Sequence, residues 1–146
     1  CPLTMTYASA PVIAAAEGIS PDWHSKILSR QYDPSVTEIS HKQGATIGMA
    51  MTEKQGGSDV RANTTRAEPD GSAWRLTGHK WFCSAPMSDG FLTLAQPSKG
   101  LTCFLVPRSN MIARLPIRSA NKGAVSTRSS KWSIIPGWIP PLPRLV

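Results

Sequence analysis

Residues 63–84 read NTTRAEPDGSAWRLTGHKWFCS, and this stretch sets the expected fold. Its centre, PDGS at 69–72, is typical of a tight turn, because proline fixes φ, aspartate bonds its own backbone and glycine accepts a positive φ. On either side lie a threonine-rich stretch, 63–68, and a longer stretch, 74–84, whose side chains alternate between two faces. The pattern predicts two β-strands joined by the turn.

Further extended segments lie on both sides of this strand pair. An apolar run over 46–52 follows Gly44, and two short strands are predicted over 91–96 and 101–106, joined by a PSKG turn. Short strands separated by turns at this spacing favour an antiparallel sheet or barrel. We therefore expect an antiparallel, barrel-like β unit over residues 44–108.

The preceding residues, 1–43, have helical character. The Ala-rich stretch 1–18 predicts helix that is divided at Pro11, and residues 21–28 predict a second short helix. Three apolar residues share one face of that second helix: Trp23, Ile27 and Leu28. With a polar linker at 31–43, the chain is expected to be an α+β fragment, with short N-terminal helices before the β unit.

The net charge of +7 is concentrated at one end of the chain. Residues 1–108 hold ten Lys or Arg and nine Asp or Glu, whereas residues 109–146 hold six Lys or Arg and no acid. The last segment also contains five prolines and no clean period, which predicts an irregular C-terminal tail. Such a basic segment can bind DNA by neutralising phosphates, or it can be a solvated extension with no partner.

The loop after the first strand, MAMTEKQGGSDVRA at 49–62, carries the strongest chemical signal. Gly56 and Gly57 let a ligand approach the backbone closely, and Ser58 then offers a hydroxyl and an N–H. These groups suit a phosphate or the polar edge of a ring, although an ordinary turn with a helix cap has the same composition. The loop matches neither the Walker A pattern nor GxGxxG.

A second signal lies in residues 78–85, GHKWFCSA. The aromatic pair Trp81-Phe82, followed by small polar groups, could stack on a flat cofactor and bond its edge. The same two rings could equally be buried in a β core. The residues of this segment alone leave both interpretations open.

Together the two segments resemble the acyl-CoA dehydrogenase family. The runs AMTE at 50–53 and GGSD at 56–59, with Ala62, fit that family's signature. The strand GHKWF at 78–82 follows 25 residues after Glu53, where the family has a Gly-x-Lys-x-Trp type of strand. The spelling of these motifs is most similar to the AidB-like branch, which is linked to bacterial alkylation responses.

The resemblance implies that both segments contact FAD. The first strand would lie along the isoalloxazine, with the Thr52 hydroxyl on its pyrimidine edge, and Ser58 would contact the pyrophosphate or a bound thioester. The second segment would border the ring near N5, where Ser84 could replace the weak thiol donor of Cys83. The implied cofactor-binding residues are Met49, Ala50, Met51, Thr52, Gly57, Ser58, Trp81, Phe82, Cys83 and Ser84.

The resemblance also implies a reaction, the α,β-dehydrogenation of an acyl-CoA-type thioester. In the family a glutamate of the C-terminal helical domain removes the α-proton while the flavin accepts a hydride. Glu53 is not the base in the family's motif, so we predict no catalytic residue in this chain. We also predict no metal ligand. An inactive truncated remnant is the alternative to a working portion of an enzyme.

The resemblance divides the chain at two points. Residues 1–43 correspond to the end of the N-terminal helical domain and a linker, and residues 44–108 to the flavin-binding middle domain. Residues 109–146 diverge, which a shifted reading frame or a truncation would explain, with a natural fusion as the alternative. Members of the intact family form homo-oligomers. Without a membrane-length apolar stretch, a signal peptide or a CxxC pair, the expected location is cytoplasmic.

Overall fold

The computed structural model describes residues 1–16, 18–98 and 100–108, together with the backbone of a strand at 125–134. Its helices and strands are α1 Pro2–Ala14, α2 Pro21–Ile27, β1 Ile47–Ala50, β2 Arg66–Asp70, β3 Ala73–Lys80, β4 Gly90–Ala95, β5 Thr102–Pro107 and β6 Val125–Ile134. Two short helices followed by a sheet confirm the predicted α+β class. In this described part, neither helix has the length and apolar character needed to cross a membrane.

The six strands form one sheet in the order β1-β4-β5-β6-β3-β2. Strand β1 runs parallel to β4, and the other neighbouring pairs are antiparallel. The prediction of a purely antiparallel unit is therefore wrong at β1, because the chain passes through the β2–β3 hairpin before β4, and this crossover is long enough for parallel pairing. Gln96 donates its N–H to Thr65 O (2.7 Å) and accepts from Ala67 N (3.1 Å), so β2 approaches the end of β4, as in a barrel.

The hairpin predicted from residues 63–84 is confirmed, with shifted ends. Asp70 pairs with Ala73, so the turn consists of Gly71 and Ser72 alone. Pro69 lies within β2, which tolerates it because β2 is at the edge of the sheet. Strand β3 ends at Lys80 rather than at Ser84, since the chain beyond it turns to bond the end of β1 instead.

Helix α1 passes through Pro11 without a break, so the predicted division there is wrong. Proline removes the donor that would serve the carbonyl of Tyr7. Both residues are exposed, and water can bond that carbonyl. In α2, Trp23 and Ile27 are buried together. Leu28 follows the last helical residue and is 57% exposed, so the predicted face is wrong at this residue.

Strands β4 and β5 are buried on both faces, which explains their continuous apolar sequences. One face lies beneath the helices in a core cluster formed by Ile13, Trp23, Ile27, Ala45, Ile47, Leu92, Cys103 and Leu105. The other face joins β2 and β3 in a second cluster formed by Ala67, Leu76, Phe91, Ala95, Phe104 and Val106. The helices thereby pack against the face formed by β1, β4 and β5.

Strand β6 contradicts the prediction that all of 109–146 is irregular. Its backbone pairs antiparallel with β3, where Trp132 lies opposite Trp74, and with β5, where Ile134 lies opposite Phe104. The physical reason is that β3 and β5 each present a hydrogen-bonding edge, and a strand between them satisfies both edges whatever its own side-chain pattern. Residues 109–124 and 135–146 lie outside the described part of the chain.

Candidate cofactor-binding face

The two segments singled out in the sequence lie side by side. Ser84 donates its N–H to Met49 O (2.8 Å) and accepts from Met49 N (3.3 Å), while Trp81 donates its N–H to Thr52 O (2.9 Å). The chain after β3 thus covers the side of β1 that faces away from β4. The structure therefore brings residues 49–52 and 81–84 together.

Most side chains of the first segment face the protein interior. Met49 and Met51 pack against the core beneath the helices, and Ala50 is buried. Thr52 is partly exposed. What this segment can offer to a ligand is accordingly its backbone and the Thr52 hydroxyl.

The second segment presents a partly aromatic surface. Phe82 is 58% exposed, Ser84 is also exposed, and the half-buried Trp81 ring meets the Phe82 ring edge-on, with the centroids 6.4 Å apart. The Cys83 side chain instead packs against the second core cluster. Burial raises the pKa of Cys83 to about 11, so it is a neutral thiol at physiological pH.

The glycine-rich loop folds back onto the end of β1. Gly56 has a φ of +114°, a conformation that favours glycine, and its N–H donates to Glu53 O (2.9 Å). A Cβ on Gly57 would come within 2.8 Å of Thr52 Oγ1, so a larger residue there would require the threonine side chain or the loop to shift. The loop backbone at Gly57 lies close to Thr52, and Ser58 is exposed. The approach of a ligand to the two glycines stays a prediction.

Behind this face lies a buried carboxylate whose role the sequence did not reveal. Glu53 is 2% exposed, and its two oxygens accept five hydrogen bonds. Oε1 accepts from Lys80 Nζ (2.8 Å) and from the N–H (3.0 Å) and hydroxyl of Thr65. Oε2 accepts from the N–H (2.6 Å) and hydroxyl (2.9 Å) of Thr64. The carboxylate therefore joins the end of β1, the start of β2 and the end of β3.

These contacts fix the charge of Glu53. Burial alone would raise its pKa, but hydrogen bonds from Lys80, Thr65 and the backbone of Thr64 outweigh burial and lower the pKa to about 2. Burial lowers the pKa of Lys80, and Glu53 opposes that change. Glu53 is thus an ionised, fully bonded group at neutral pH rather than a base placed to accept a proton from a substrate.

Among residues 1–16, 18–98 and 100–108, no three His, Cys, Asp or Glu side chains cluster closely enough to hold a metal ion. The six cationic side chains considered for DNA contact all follow Arg108 and lie outside the described side chains.

Two family models match the chain, and the larger match includes residues 49–52 and 81–84. The family described as "Acyl-CoA dehydrogenase, middle domain" matches residues 48–132, more than half of the chain, and "Adaptive response protein AidB N-terminal domain" matches residues 1–34. The putative acyl-CoA dehydrogenase AidB of Escherichia coli (strain K12) is 53% identical over 111 residues, covering 74% of this chain and 20% of the relative. Acyl-CoA dehydrogenase family member 11 of Caenorhabditis elegans is 32% identical over 123 residues, covering 73% and 18%.

The likeness extends to solved structures. Caenorhabditis elegans ACDH-11 in complex with C11-CoA superposes with a TM-score of 0.70 at 28% identity, covering 92% of this chain and 26% of that one. The chain spans about a fifth of the length of the curated relatives it matches. The middle-domain match continues to residue 132, past the boundary predicted at Arg108. A shifted reading frame stays a prediction, which the nucleotide sequence read in three frames would test.

Proposed function

Because the chain belongs to the acyl-CoA dehydrogenase family, we propose that it forms the flavin-binding face of an AidB-like flavoprotein. The observation that carries this proposal is the direct pairing of residues 49–52 with residues 81–84. These are the two segments for which the family resemblance implies FAD contacts, and they are distant in the chain. Their meeting on one surface supports a shared ligand.

The groups on this surface suit an isoalloxazine ring. Such a ring needs hydrogen-bonding partners along its polar edge and apolar or aromatic cover on its flat side. The backbone of the first segment and the Thr52 hydroxyl can serve the edge, while Trp81 and the exposed Phe82 can cover the ring. Bound FAD would supply the hydride acceptor, and the residues of this chain would bind and orient it.

The proposed reaction of the whole protein is the α,β-dehydrogenation of an acyl-CoA-type thioester. Glu53 is saturated by hydrogen bonds and cannot serve as the base, so we expect no turnover by the 146-residue chain alone. Its hold on FAD should be weak, because a partial site still pays the full entropic cost of immobilising the ligand. The AidB likeness extends the proposal to a cytoplasmic homo-oligomer that acts in an alkylation response.

The test is a titration of the purified chain, followed by NMR. Added FAD should shift the backbone signals of residues 49–52 and 81–84, together with the Trp81 indole signal, in a saturable way. Lumiflavin, which carries only the ring system, should reproduce these shifts, whereas ADP should not. If neither FAD nor lumiflavin moves these signals at millimolar concentration, the proposed function is wrong.

A second candidate function, DNA binding, is favoured only by the charge distribution. Residues 109–146 carry six cations and no acid, whereas the rest of the chain is nearly neutral. Such binding should be weak and should fall steeply with salt. Four of these cations lie outside β6, namely Arg114, Arg118, Lys122 and Arg144. Replacing all four by Gln should reduce both the affinity for random duplex DNA and the salt dependence of that affinity. Unchanged binding by that variant would contradict this role.

A further inference from the structure

We infer that the buried Glu53–Lys80 ion pair is a positioning device for the flavin-binding face. It holds residues 49–52 and 81–84 at a fixed spacing, and ligand affinity therefore depends on it beyond its effect on overall stability. The inference rests on the proposed function, since it names the residues that set the geometry of that face.

The first step of the argument is adjacency. Glu53 directly follows Thr52, and Lys80 directly precedes Trp81. Trp81 N–H donates to Thr52 O (2.9 Å), and Lys80 Nζ donates to Glu53 Oε1 (2.8 Å). Each segment is therefore joined to the other at two consecutive residues, once by backbone and once by charge. Movement of one segment along the other would stretch both bonds.

The second step is orientation. Glu53 and Lys80 are 2% and 4% exposed, whereas their neighbours Thr52 and Trp81 are partly exposed. The ion pair thus lies behind the surface and can contact no ligand that covers Thr52 and Trp81. Because the two charges of the pair cancel, we expect it to act on a flavin chiefly through the backbone it holds.

The third step is rigidity. The carboxylate of Glu53 is fixed from a third direction by the backbone N–H groups of Thr64 and Thr65. Asn63, next to them, donates its side-chain amide to Met51 O (2.9 Å). The strand end is thereby tied to two neighbouring segments at Met51 and Glu53, on both sides of Thr52. A hydrophobic pair could fill the same volume but could not impose this directional geometry.

The experiment compares Lys80→Met with Lys42→Met in the 146-residue chain. Lys42 is a matched control, because it is 1% exposed and its Nζ also lies 2.9 Å from a carboxylate, that of Asp89. Both variants lose a buried ion pair. The temperature of each measurement is chosen so that the two variants are folded to the same fraction, and circular dichroism checks that fraction. Lys80→Met should weaken lumiflavin binding about tenfold or more, and Lys42→Met by less than about threefold. Equal losses in the two variants would overturn the inference.

A second measurement needs no ligand. Amide hydrogen exchange at Trp81 and Ser84, whose N–H groups bond to the first segment, reports the joint between the segments. Lys80→Met should accelerate exchange at these two amides more than at the core amides of Leu92 and Leu105, whereas Lys42→Met should not. Unchanged relative exchange contradicts the positioning role even if wild type binds flavin. If flavin shifts no NMR signal of the wild-type chain, the proposed function itself is wrong.

Discussion

Two lysines are buried in the described part of the chain, and they are bonded in opposite ways. Lys80 donates to Glu53, and there the carboxylate is the centre, since it also accepts from two threonines. Lys42, in contrast, has three acceptors of its own. Its Nζ donates to Asp89 Oδ1 (2.9 Å) and to the backbone carbonyls of Asp33 (2.9 Å) and Ser35 (2.6 Å).

The two clusters join different parts of the fold. Glu53 ties the end of β1 to the start of β2 and the end of β3, within the sheet. Lys42 ties the linker to Asp89, which precedes β4, accepts from Thr46 N (2.9 Å) and lies 3.5 Å from Arg108. The first cluster thus joins the two segments of the proposed cofactor-binding face, and the second joins the linker to the segment before β4. A buried lysine–carboxylate pair thus joins different segments in each cluster.

The largest effect should follow from Glu53→Ala. The change leaves the Lys80 ammonium buried without its partner and removes the acceptors of Thr64 and Thr65, so the free energy of unfolding should fall by about 3–5 kcal/mol. Urea denaturation followed by tryptophan fluorescence measures it. The matched control is Glu68→Ala, an exposed glutamate on the edge strand β2, which should change stability by about 0.5 kcal/mol or less. Equal losses in both variants would show that Glu53 is not a centre of bonding.

Lys42→Met should have a smaller effect on stability. Asp89 keeps the bonds from Thr46 and the contact with Arg108, and the carbonyls of Asp33 and Ser35 lie near enough to the surface to accept from water. We expect a loss of about 2 kcal/mol in the same denaturation experiment. A loss greater than that of Glu53→Ala would reverse the ranking of the two clusters.

The sequence could predict what depends on local pattern. Alternation and turn residues placed β4 and β5 within one residue, and they located the β2–β3 hairpin with strand ends that differ by up to four residues. What it could not supply were pairings between distant residues. Glu53 and Lys80 are 27 residues apart, and neither belongs to a pattern that names its partner. The parallel pairing of β1 with β4 and the existence of β6 likewise depend on which strand edges the fold leaves open.

Acid should act on the two clusters to different degrees. The folded-state pKa of Glu53 is about 2, below its usual 4.5, so its contribution to stability is complete above about pH 4.5 and is lost as the pH falls towards 2. Glu53→Gln should flatten the pH dependence of the urea midpoint in this window. Asp33, whose pKa is also lowered to about 2, chiefly by Ser35, titrates in the same range near the surface. If Asp33→Asn flattened the profile more than Glu53→Gln did, the buried carboxylate would not be the main acid-sensitive group.

The smallest expected effect is that of a substitution in the glycine-rich loop after Glu53. This substitution tests how much the packing of the loop on Thr52 contributes to stability, apart from the Glu53–Lys80 ion pair. Gly57→Ala would place a Cβ 2.8 Å from Thr52 Oγ1, which the threonine side chain can partly relieve by turning. We therefore expect Gly57→Ala to lower the free energy of unfolding by about 1 kcal/mol. The loss should be smaller in a chain that already carries Thr52→Ala. The double-mutant cycle from urea denaturation should give a coupling of about 0.5 kcal/mol or more. Zero coupling would mean that the loop does not rest on Thr52.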